Sequence, residues 1–143
     1  LAKDFNISAD VWSMTSANEL YREAHDLERK EKLNPEKKQG DSWIQKCLGK
    51  TQGPIISSTD YLHNYSNQLH KYMPRDFYAL GTDGFGRSDT RSSLRRFFEI
   101  DAEHIALATI NGLCNQGLAD YSLFESTKKE FGITGTSTRD AWN

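Results

Sequence analysis

The run Phe77-Tyr78-Ala79-Leu80-Gly81-Thr82-Asp83-Gly84-Phe85-Gly86-Arg87-Ser88-Asp89 decides how this chain is read. Its first four residues are aromatic or aliphatic and suit a short buried strand. Glycines follow at 81, 84 and 86, with hydroxyl and charged groups between them, and predict a tight loop. A helix-like stretch from Thr90 to Phe98 comes next. Strand, glycine loop and helix in that order belong to an open α/β sheet, which gathers ligand and subunit contacts at the carboxyl ends of its strands.

Working outward, the same alternation of strand and helix recurs. Asp10 to Met14 alternates, carries Val11 and Trp12, and predicts a strand. Ser16 and Glu19 have capping-box spacing, with Ser16 as N-cap and Glu19 reaching back. Leu20, Ala24 and Leu27 then repeat with helical spacing until Asn34-Pro35 ends the helix. Residues 35–41 read as an internal loop or linker, and Ser42 to Leu48 as a short helix with Trp43, Ile44 and Cys47 on one side. Pro54 to Ser58 predicts a buried strand. Asp60 is placed to cap a helix carrying Tyr61, Leu62, Tyr65, Leu69, Tyr72 and Met73, which Pro74 stops. Downstream, Asp101 suits an N-cap, with Ile100 and Ile105 as a hydrophobic staple. The stretch from Ile105 to Cys114 is apolar on several faces and predicts a buried helix. A last helix runs from Asp120 to Phe131, aligns Phe124, Thr127 and Phe131, and has Gly132 at C′. Residues 133–143 read as an irregular tail. The pattern argues for a mostly parallel sheet covered by helices.

The bulk numbers bound the function. The 143 residues suit one domain, and a net charge of −2 exerts no general pull on nucleic acid. No apolar run would span a bilayer as a helix. Cys47 and Cys114 lack CxxC spacing and read as structural thiols of a reducing, cytoplasmic compartment. Hydrophobic content is 36%, low for a free-standing domain. Leu1 to Phe5 reads as the end of a helix, and the first residue is not Met. A single domain over 1–143, truncated at its N-terminus, is the expectation.

Two constellations carry chemistry. The glycine loop supports three readings. Amide groups around Gly84, Phe85, Gly86, Arg87 and Ser88 at a helix N-terminus would hold an anion. Alternatively, the glycines only permit the turn while Ser88 or Asp89 caps the helix. A third reading is an intersubunit contact. The run is neither a dinucleotide fingerprint, because Asp89 replaces the last glycine, nor a P-loop. The second constellation is Arg87, Arg91 and Arg95, one stripe if all lie on a helix, with Arg96 beside them. It is either a solvated, ion-paired face or a contact for an acidic partner. The aromatic interleaving of nucleic-acid binders is missing. His63 and His70 lack a third ligand, His25 and His104 stand apart, and the tyrosine stripe suits a core or a domain boundary. No nucleophile elbow or acid–base pair stands out.

The run Gly81 to Asp89, followed by Thr90 to Ala106, closely resembles the C-terminal domain of the homodimeric pyruvate dehydrogenase E1 family. Asp10 to Ser16 and Ser58 to Tyr61 extend the resemblance, which covers most of residues 1–131. It implies a transketolase C-terminal-like, three-layer α/β/α fold with about three to five strands. The fragment would lack the first of them, leaving a sheet edge exposed. It also implies an enzyme that decarboxylates pyruvate and reductively acetylates the lipoyl group of a partner acetyltransferase, working as a homodimer with thiamine diphosphate and Mg²⁺. The family's diphosphate motif is not matched here: Thr82-Asp83-Gly84 has no spaced asparagine after it, and the catalytic glutamate falls outside the matched region. The resemblance therefore assigns this chain no catalytic, cofactor or metal residue. It implies instead a structural or interface loop of Gly81, Asp83, Gly84, Phe85, Gly86, Arg87, Ser88 and Asp89, with Arg91 and Arg95 as partner contacts. The alternative is a free-standing module that binds an anion at that loop.

Overall fold

The computed structural model describes residues 1–134. Helices α1 (Ala2–Phe5), α2 (Ala17–Leu33) and α3 (Trp43–Leu48) precede strand β1 (Ile55–Ser58). Helix α4 (His63–Asn67) and a 3₁₀ turn (His70–Tyr72) lead to β2 (Phe77–Leu80), followed by α5 (Arg91–Phe97), α6 (Ala102–Asn115) and α7 (Tyr121–Glu130). Polar side chains cap helix starts, as expected at Ser16 and Asp101. Ser16, Ser42, Asp101 and Asp120 accept from the backbone N–H of Glu19, Gln45, His104 and Ser122. Each satisfies an amide that has no partner within its helix. The capping box is only half formed, because the Glu19 carboxylate takes the Arg22 guanidinium at 2.7 Å.

β1 and β2 pair in parallel, with Ile55 opposite Phe77 and Ser58 opposite Leu80. Helix α4 packs against β2, and α6 lies against both strands. Two hydrophobic groups flank this small sheet. One centres on buried Ala17, Ile44 and Leu69, with Leu20, Tyr65 and Met73 packed against it. The other is rich in buried residues of α6, including Ala106, Leu107, Ile110 and Cys114. The α/β class and the parallel pairing stand as expected.

Several details differ from the sequence-based expectations. Two strands form among the described residues, where about three to five were expected. Asp10 to Met14 is irregular; it has no neighbouring strand to share a ladder with, and Val11 is 95% exposed. The helix expected over 61–73 breaks into α4 and the 3₁₀ turn. That break lets Leu69 bury completely while Tyr65 and Tyr72 reach back to α2: Tyr65 Oη accepts from the Ala17 N–H, and Tyr72 Oη donates to Glu28. His63 and His70 consequently sit on separate elements, and the His70 ring meets Phe77 edge-on. Gly132 takes a φ of 60° after α7, as a C′ residue does. Beyond Thr134, the tail expectation lies outside the described residues.

Candidate functional site

The glycine loop divides into an anchored half and a free half. Parallel pairing brings the carboxyl ends of β1 and β2 side by side, so Gly81 to Asp83 meets Asp60 to His63. The Thr82 N–H donates to the Tyr61 carbonyl at 2.8 Å, and its hydroxyl donates to the Asp60 carbonyl at 2.9 Å. Asp83 Oδ1 accepts from the His63 N–H at 3.0 Å. Asp83 therefore caps α4 from across the sheet, and the expectation that Asp60 would do so is corrected; Asp60 instead lies 4.0 Å from the Arg95 guanidinium. Gly81 is required by contact: a Cβ there would stand 2.5 Å from the His63 nitrogen and 2.6 Å from its Cα.

The free half begins at Gly84, whose φ of 103° is a conformation that side-chain-bearing residues rarely adopt. Phe85 follows and is 91% exposed. The strained glycine is thus Gly84, not Gly86, which has no positive φ and open space around it. The loop closes on Arg87, whose guanidinium lies 4.1 Å from the centroid of the Phe97 ring in a cation–π contact. Asp89 Oδ1 then accepts from the Thr90 N–H at 2.7 Å, and Thr90, rather than Ser88 or Asp89, is the N-cap of α5. Both ends of the loop are therefore held while its aromatic tip points to solvent.

The arginines do not form one stripe. Arg87 precedes α5, so of the three only Arg91 and Arg95 lie on that helix, which Arg96 shares. Arg91 makes no ion pair among the described residues and is exposed. Arg96 has a structural role. It reaches Glu103 at 2.6 Å, Asp101 at 3.3 Å and the Phe131 carbonyl at 2.7 Å, tying α5 to both α6 and the end of α7. Burial pushes the Asp101 carboxyl up, but its bonds from the His104 backbone and ring and from Arg96 outweigh this and hold it below the usual carboxylate range.

The loop does not fit a diphosphate with its divalent cation. Asp83, the carboxylate between two glycines, is committed to the His63 amide. Asp89 puts a second negative charge at the start of α5, where a phosphate would sit. Among the described residues, no three His, Cys, Asp or Glu side chains gather closely enough to hold a metal ion. The anion-binding reading of the loop draws no support from this arrangement.

Sequence reasoning found the loop and missed its anchor. The signal was present in the two strand ends, Ser58-Thr59-Asp60 and Leu80-Gly81-Thr82-Asp83, which a parallel sheet must bring together. It also missed Arg75, which donates to the Gly53 and Leu48 carbonyls and the Thr51 hydroxyl, fixing the approach to β1.

Comparison with known proteins places this geometry. The family model described as the transketolase-like TK C-terminal domain matches residues 1–101. The chain is 42% identical over 134 residues to the pyruvate dehydrogenase E1 component of Pseudomonas aeruginosa, covering 93% of this chain and 15% of that protein. It is 44% identical over 117 residues to the same-named protein of Cupriavidus necator, covering 82% and 13%. For the Escherichia coli K12 protein the identity is 38% over 134 residues, covering 93% and 15%. The chain thus spans only about 15% of the length of the relatives it matches. With a family match over most of its length, and with parallel strands ending in the anchored glycine loop, the chain belongs to the transketolase-like C-terminal domain family.

Proposed function

We propose that this chain is the C-terminal domain of a pyruvate dehydrogenase E1 component, and that it serves that enzyme as scaffold and contact surface. The carrying observation is its 42% identity over 134 residues to a protein of that name, of which it spans 15%. The full-length enzyme would decarboxylate pyruvate with thiamine diphosphate and Mg²⁺ and pass the acetyl group to the lipoyl group of a dihydrolipoyl acetyltransferase in the cytoplasm. Thiamine diphosphate supplies the carbanion stabilisation that decarboxylation needs. The residues that hold it belong to the rest of the polypeptide, since the carboxylates of the glycine loop are already engaged.

The contribution of this domain lies in the free half of the loop. Phe85 is exposed between two held ends of the loop, and Arg91 is exposed on α5 without an ion-pair partner among the described residues. An exposed aromatic on a loop held at both ends, with an arginine that makes no ion pair on the helix that follows, suits a contact with a second E1 subunit or an adjacent domain, since aromatic and arginine side chains are the usual anchors of interfaces. Arg91→Glu in the full-length enzyme is expected to weaken dimerisation or complex assembly by up to a few kcal/mol. Analytical ultracentrifugation and overall complex activity measure this. Unchanged sedimentation together with unchanged activity would remove the contact role from Arg91.

A further inference from the structure

A cleft of about 1030 Å³ opens at the carboxyl end of β1, between α5 and the start of α6. Crevices at the carboxyl ends of strands are where open α/β sheets take their ligands. No residue of the glycine loop 81–89 lines it. Ile100 and Ile105 give it an apolar wall. Arg91 and Arg95 line it from α5, four residues apart, so their guanidinium groups can converge on one ligand. Neither guanidinium makes a hydrogen bond among the described residues; Arg95 has only the Asp60 carboxylate, 4.0 Å away. Each keeps its fork of N–H donors unused. The carboxylates on the α6 side are less free. Asp101 and Glu103 both bond Arg96, at 3.3 and 2.6 Å, and Asp101 also takes the His104 amide at 2.9 Å. With one arginine between two carboxylates, that side carries residual negative charge. The α5 side sets two arginines against Asp60 and is positive, so an anion belongs there. Asp60 is 76% exposed and free to turn to water.

We infer that the α5 side of this cleft binds a phosphate dianion, free or as the end of a small monoester. Arg91 and Arg95 supply the forks. The Thr59 and Ser92 hydroxyls supply further donors; Thr59 Oγ1 accepts from the Tyr61 N–H and keeps its own proton to give. A carboxylate has too few oxygens to fill two forks and two hydroxyls, whereas a phosphate group presents at least three. No aromatic ring lines the cleft among the described residues, so a nucleobase has nothing to stack on. The helix that carries the forks is fixed in advance, because Arg96 also reaches the Phe131 carbonyl at 2.7 Å and ties α5 to α6 and α7. Asp60 opposes the anion. Its backbone carbonyl holds Thr82, so its carboxylate has no part in anchoring the glycine loop. Arg91 figures in the contact proposed above, whereas Arg95 and Asp60 do not, and they carry the test.

Isothermal titration calorimetry of the full-length protein tests this, with inorganic phosphate, glycerol 1-phosphate and acetate as probes. The protein is first saturated with thiamine diphosphate and Mg²⁺, so that a catalytic diphosphate site elsewhere is filled. Phosphate and glycerol phosphate are expected to bind saturably, and acetate about tenfold or more weakly than either, because it leaves donors unmatched. Arg95→Gln should weaken phosphate binding by about tenfold or more, the loss of a charge-assisted fork. Asp60→Asn should tighten it about fivefold, the effect of removing one like charge at about 4 Å in water. Arg29→Gln, a change at an exposed arginine of α2, should leave it as in the parent. Glycerol phosphate binding more tightly than phosphate assigns the monoester, and equal affinity assigns free phosphate. Absence of saturable phosphate binding would overturn the inference. So would acetate binding as tightly as phosphate, or parental phosphate affinity in both Arg95→Gln and Asp60→Asn. None of these readouts depends on pyruvate turnover, so the anion site and the proposed enzyme stand or fall separately.

Discussion

A Cβ on Gly81 would stand 2.5 Å from the His63 nitrogen, whereas one on Gly86 would meet nothing within 4 Å. The first glycine exists because two backbones cross there, and the second because the free half of the loop tolerates it. Gly81→Ala is expected to destabilise the chain by about 1–3 kcal/mol, the usual cost of forcing a methyl into filled space. Gly86→Ala should stay within about 0.5 kcal/mol. Urea unfolding of the two variants beside the parent chain decides this; equal midpoints would mean that the Gly81 contact is not maintained in solution. Sequence alone showed three glycines of equal standing. It could not rank them, because the constraint on Gly81 comes from His63, which lies on another element. The constraint on Gly84 is a backbone angle that composition does not encode.

At the scale of elements, the join between α2 and the 3₁₀ turn rests on Glu28. Its carboxylate takes Lys32 of its own helix, then Lys71 and the Tyr72 hydroxyl from the turn, and these bonds hold its pKa down at about 2. Burial, followed by the bond to Glu28, pushes the Tyr72 phenol up to about 12. A carboxylate whose folded pKa is depressed contributes its stabilisation above the unfolded value, and that contribution is lost as pH falls through the folded one. Thermal stability should therefore decline between about pH 4.5 and pH 2 as Glu28 takes up a proton. Glu28→Gln should remove that part of the decline, and added salt should weaken it. An identical acid profile in the variant would show that the Glu28 cluster does not couple the two elements. The helix spacing of Leu20, Ala24 and Leu27 was legible without the structure, as were the caps at Ser16 and Asp101. The break of the expected 61–73 helix was not. At the break Leu69 is fully buried in the cluster with Ala17 and Ile44, a tertiary contact that local spacing does not encode.

For the whole molecule, alternation of strand and helix was enough to read the α/β class and the parallel pairing. Strand number was not legible from it. Asp10 to Met14 has the pattern of a strand, but a strand also needs a neighbour, and none of the described residues supplies one. The site followed the same division. The loop Gly81 to Asp89 stood out in the sequence, while its anchoring through Asp83 and His63 and its closure by Arg87 over Phe97 emerged only when distant segments met. Asp83, Thr82, Arg87 and Asp89 hold the loop's shape, while Phe85 is exposed and Arg91 makes no ion pair among the described residues. The proposed scaffold role puts the chemistry elsewhere in a longer enzyme. The most direct test is pyruvate-dependent CO₂ release with thiamine diphosphate and Mg²⁺, measured for the full-length protein and for the 143-residue chain side by side. The account predicts turnover by the full-length protein and none by the 143-residue chain. Turnover by the short chain, or its absence in the full-length protein, would contradict it.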